Sequence, residues 1–85
     1  QRQMCIETGV GCVWVDEERW HGKRVGAALM KQVQRRFSVL SLEVYEQNHR
    51  GCAFYRKMGF SPVSRTFPQE THAPAMIMQW VKTAE

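Results

Sequence analysis

The feature that most constrains this chain is a β-prone run, Val10 to Val15, that leads through a basic, glycine-bearing turn into an amphipathic segment. The turn and the opening of the segment read His21-Gly22-Lys23-Arg24-Val25-Gly26-Ala27-Ala28-Leu29-Met30. Strand, short turn and helix together make a geometry that binds anions. The first turn of a helix has backbone N–H groups with no internal partner, and the helix dipole places partial positive charge there. A phosphate at that end accepts those hydrogen bonds. Lys23 and Arg24 add full charges, and the glycines let the backbone come close to a ligand. The same pattern also fits an ordinary strand-to-helix connection, so alone it decides nothing.

The flanking pattern sets the fold class. Met4 to Glu7 and Val10 to Val15 read as two strands joined at the turn signal Thr8-Gly9. The nearly continuous apolar run Gly11 to Val15 predicts a central strand buried on both faces. Apolar residues then recur at helical spacing, Val25, Leu29, Val33 and Phe37 with Met30, and Val39 to Tyr45 reads as a strand. Strand, helix and strand of these lengths predict a βαβ unit with a parallel pair and a right-handed crossover. A second helix, Arg50 to Met58, is predicted after a cap at Asn48 or His49, with a stripe of Gly51, Phe54 and Met58 and a left-handed C-terminal glycine at Gly59. Phe60 to Phe67 reads as an edge or bulged strand because of Pro62, and Ala75 to Val81 as the last strand. The expectation is an α+β sandwich with a mixed sheet, a central parallel βαβ pair, two helices and a C-terminal antiparallel pair.

Bulk properties narrow the function. The 85 residues suit one small domain, 1–85, and the net charge of +4 suits an anionic ligand. The basic residues are scattered and no nucleic-acid motif appears, which argues against a nucleic-acid partner. No apolar run reaches membrane-spanning length and no signal peptide is visible. Cys5, Cys12 and Cys52 are odd in number and lack metal-ligand spacing, so three thiols in a reducing cytoplasm are expected and no metal.

A second stretch, Leu42 to Phe60, resembles the C-terminal signature of the GNAT superfamily of acyl-CoA-dependent N-acetyltransferases. That signature has a strand, an Asn, a short helix carrying Phe-Tyr, and then Gly-Phe. Asn48, Phe54, Tyr55, Gly59 and Phe60 fall at matching spacing. The opening turn is then similar to the family's pyrophosphate-binding motif, with His21 in place of the usual Gln or Arg and Arg24 in place of the middle Gly. The resemblance covers about Gly11 to Trp80. It implies a partial GNAT fold lacking the usual N-terminal strands and helices, and hence an exposed sheet edge and a homodimer or higher homo-oligomer.

The resemblance further implies direct attack of a primary amine, on a small molecule or a protein, upon the thioester of acetyl-CoA. The cofactor's diphosphate would meet His21, Gly22, Lys23, Arg24, Val25, Gly26, Ala27 and Ala28, and its pantetheine arm the main chain of Val13, Trp14 and Val15. Asn48 and Phe54 would complete the cofactor site. Tyr55 would give a proton to the leaving sulfur, and Glu43 would act on the amine as a base or attract it as a cation. A solvated strand-end Glu and a packed Tyr are the plainer readings of the last two. The rival function is a non-catalytic acyl-CoA-binding or self-assembling module.

Overall fold

A computed structural model describes residues 3–16, 25–69 and 72–83. The elements are β1 (Gln3–Glu7), β2 (Cys12–Asp16), α1 (Val25–Arg36), β3 (Val39–Tyr45), α2 (His49–Lys57), β4 (Ser61–Thr66) and β5 (Ala75–Val81). Each expected strand and helix is present with its ends moved by a few residues at most. Two compact units emerge, residues 1–40 with 81–85, and residues 41–80. Strand β3 straddles their boundary.

In the first unit the strand order is β2-β1-β3, and the pairing of β1 with β2 is antiparallel, with Cys5 opposite Trp14 and Ile6 opposite Val13. This corrects two expectations. There is no central parallel βαβ pair, because β1 stands between β2 and β3 and the ladders are antiparallel. Nor is β2 buried on both faces: it is the terminal strand, with Trp14 63% exposed. The physical reason is local. Thr8 N–H donates to Gly11 O at 2.9 Å across a two-residue turn, and so short a loop costs little entropy to close. The hairpin forms as a block, and β1, whose Ile6 is fully buried, takes the inner place.

The three-thiol expectation is also overturned. Cys5 and Cys12 form a disulfide, with Cα atoms 5.7 Å apart, and only Cys52 is a free thiol, buried. The antiparallel register sets Cys5 diagonally across from Cys12, at a Cα separation that a disulfide spans. Cysteine usage therefore no longer argues for a reducing cytoplasm.

Helix α1 buries Gly26 and Met30, half-buries Leu29 and Val33, and leaves Val25 exposed. Lys82 closes its C-terminal end. The Lys82 N–H donates to Ser38 O at 2.8 Å, and Nζ donates to Arg35 O at 3.3 Å. A cation at that end also complements the helix dipole.

In the second unit the order is β3-β5-β4, and β4 pairs antiparallel with β5. The C-terminal antiparallel pair thus stands as expected, and β4 is an edge strand with a register shift between Pro62 and Ser64. Leu40, Leu42 and Val44 alternate as the buried residues of β3. The buried stripe of α2 is Gly51, Cys52 and Tyr55, with Phe54 and Met58 half-buried, so the core face lies one position round from the expected stripe. After α2, Gly59 has φ 99°. Phe60 N–H donates to Tyr55 O at 2.9 Å and Gly59 N–H to Arg56 O at 3.0 Å, which is a Schellman closure of the helix.

Candidate functional site

The site residues divide between the two units. In the first, β2 supplies Val13, Trp14 and Val15. The first turn of α1 supplies Val25, Gly26, Ala27 and Ala28, where Gly26 is buried and no acidic residue stands. His21, Gly22, Lys23 and Arg24 lie outside the described residues. What is described fits a polyanionic cofactor: no carboxylate stands in that first turn to oppose a diphosphate, and the first N–H groups of a 12-residue α-helix have no acceptor within the helix itself.

In the second unit the end of β3 and the start of α2 place Glu43, Asn48, Phe54 and Tyr55. Asn48 is the N-cap of α2, its Oδ1 accepting from Gly51 N–H at 2.9 Å. Its own N–H donates to Tyr45 O at 3.0 Å, and its C=O accepts from Cys52 N–H at 2.9 Å. Gly51 is the seat of this cap. A Cβ there would come within 2.6 Å of Asn48 Nδ2 and 2.9 Å of its Cγ. The sequence signal for this was present, a Gly three residues after a capping Asn, but the helical period alone placed Gly51 in an apolar stripe.

Tyr55 is 1% exposed. Its ring meets Phe54 edge-on at 5.2 Å between centroids and Phe60 at 5.8 Å, an arrangement that fixes the phenol's direction. Glu43 is in a different environment. It is exposed, and its Oε2 accepts from Thr66 Oγ1 at 2.9 Å. Thr66 lies on β4, one strand beyond the neighbour of β3, and was not foreseen. Nearby Glu46 receives Arg65 through both carboxylate oxygens, Nε at 2.6 Å and Nη2 at 3.2 Å. A cavity of about 470 Å³ opens beside the cap, lined by Tyr45, Gln47, Asn48 and Ala73. Among the described residues no group of three or more His, Cys, Asp or Glu is placed to hold a metal, and no helix is long and apolar enough to cross a membrane.

Residues 2–62 match the family model described as an acetyltransferase (GNAT) domain. The match takes in His21 to Ala28, the Asn48 cap and the Phe54-Tyr55 pair, and the chain belongs to the GNAT acetyltransferase family. Among curated proteins it is similar to the peptidyl-lysine N-acetyltransferase YiaC of Escherichia coli strain K12, with 43% identity over 56 residues. That alignment covers 66% of this chain and 38% of the relative, so the chain spans well under half the length of the protein it matches. No solved structure matches significantly.

Proposed function

We propose that this chain carries the cofactor-binding and proton-transfer part of an N-acetyltransferase that moves an acetyl group from acetyl-CoA to a primary amine, with a protein lysine as the favoured acceptor. The observation that carries the proposal is the family match across residues 2–62, which includes both the His21-to-Ala28 and the Asn48-to-Phe60 stretches. The relative's lysine specificity supports the choice of acceptor.

Acetyl-CoA supplies the activated acetyl group. The chain's own residues bind, orient and move protons. The N–H groups of Val25 to Ala28, with His21 to Arg24 before them, hold the diphosphate, and the absence of an acid from the first turn of α1 supports this. The Trp14 main chain takes the amide-bearing pantetheine arm, with Val13 and Val15 flanking it. Asn48 and Phe54 border the same arm. Glu43, kept in place by Thr66, attracts the amine and accepts its proton at the free carboxylate oxygen Oε1. The Tyr55 hydroxyl returns a proton at the sulfur. General acids of this kind contribute roughly 10²–10⁴ in rate.

Tyr55→Phe is therefore expected to lower kcat by about a hundredfold, while acetyl-CoA affinity by calorimetry stays nearly unchanged. Equal turnover in the two proteins would remove Tyr55 from the reaction. The short coverage of the relative favours a second reading, a non-catalytic acyl-CoA-binding module. Tight acetyl-CoA binding with no acetylation of lysine peptides or small amines would select it.

A further inference from the structure

Strand β2 is symmetric in sequence about Trp14, which Val13 and Val15 flank on either side. Its hydrogen-bonding phase is also fixed. The Thr8–Gly11 bond closes the hairpin, and bonded and non-bonded pairs alternate along an antiparallel ladder. Val13 and Val15, opposite Ile6 and Met4, are thus the residues that exchange bonds with β1. The N–H and C=O groups of Cys12, Trp14 and Asp16 point the other way, off the end of the strand order among the described residues. Edge strands of this kind are usually blunted by Pro, Lys or a bulge. Cys12 to Asp16 contains neither Pro nor Lys, its register runs without a shift, and Trp14 is 63% exposed beside it.

We propose that β2 is a self-association edge, on which two copies of this chain pair β2 to β2, antiparallel, about a two-fold axis through Trp14. An isologous contact needs residue i to meet j and j to meet i. This register meets that condition along the whole strand. Trp14 faces the Trp14 of the second copy and exchanges both main-chain bonds with it. Val13 faces Val15, and Cys12 faces Asp16, in both directions. An axis through Val13 or Val15 brings together groups already bonded to β1. An axis through Cys12 or Asp16 leaves half the strand unpaired. Aromatic and β-branched residues directly opposite one another are favourable cross-strand pairs.

So short a ladder falls below the ~1,200 Å² of a standard interface, and each copy carries a net charge of +4. The dimer is accordingly concentration-dependent and is strengthened by salt, which screens the repulsion. The pairing stands on the ladder alone and does not depend on acetyl transfer. Where the Trp14 main chain takes a pantetheine arm, the two occupants exclude each other.

The test is amide hydrogen exchange on the unaltered chain, with sedimentation equilibrium, over about a hundredfold range of concentration. The Cys12, Trp14 and Asp16 amides are expected to slow as concentration rises, while those of Val13 and Val15 keep their rates. The mass should rise towards that of two chains. Trp14→Lys sets like charges opposite each other and is expected to return the mass to one chain with an unchanged far-UV spectrum. A single-chain mass throughout overturns the proposal, as does a dimer that survives Trp14→Lys. So does protection of the three amides at every concentration in a single chain, which would give the edge to a different strand.

Discussion

The two antiparallel pairs, β1–β2 and β4–β5, solve the same problem in opposite ways. Pair β1–β2 runs in straight register and is clipped covalently by Cys5–Cys12. Among the described residues no further strand lies beside its outer strand, where Trp14 is exposed, as is Val10 in the turn. Pair β4–β5 has no covalent clip. Its outer strand carries Pro62 and a register shift, and its residues Ser61 to Arg65 are all exposed. A bulged strand with a Pro is a poor template for another strand. The difference shows that a pair can be firmly closed and still be open to partners, because closure acts within a hairpin and protection acts on its outer side.

Reduction of Cys5–Cys12 should have the largest effect on this contrast. Opening a short disulfide loop costs roughly 2–3 kcal/mol. The β1–β2 amides are expected to lose protection in dithiothreitol while the β4–β5 amides keep theirs, as read by hydrogen exchange. Equal loss in both pairs would show that the clip serves more than its own hairpin. Gly59→Ala should come next. It forces a left-handed φ on a residue with a Cβ, at roughly 1–2 kcal/mol, and brings that Cβ within 3.0 Å of Trp80 on β5. The urea midpoint should fall, and the loss should concentrate at the end of α2 and the start of β4. The smallest effect belongs to Arg65→Met. Its bidentate pair with Glu46 is exposed on the Arg65 side, at 68%, and surface pairs contribute about 0–1 kcal/mol. A larger loss would mean that the ion pair, more than the bulge, shapes β4.

The expected strands and helices rested on local signals, and these proved reliable. Gly59 marked a left-handed helix end, Pro62 marked a bulged edge, and the spacing from Val25 to Phe37 marked a helix. Strand order was not legible, because it depends on which neighbour β3 accepts, and the apolar run of β2 suited either an inner or an outer place. The disulfide was hidden for the same reason. Cys5 and Cys12 are neighbours only once the hairpin register is known, and an odd cysteine count conceals a pair. At the candidate site, the Asn48 cap was readable from residue type. Its seat on Gly51 was signalled by the three-residue spacing but masked by the helical period, and the Thr66 contact to Glu43 was not legible, since it depends on a strand distant in sequence.

The cap on α2 has one more consequence. The amide oxygen of Asn48 is spent on the Gly51 N–H, which leaves the side-chain NH₂ as its group for outside company. Toward a guest this residue therefore brings a donor that a carboxylate would lack, one suited to molecules that present a carbonyl or other lone pair at the mouth of the helix. An aspartate at position 48 would keep the helix start yet reverse that preference, turning away the very groups that the asparagine admits.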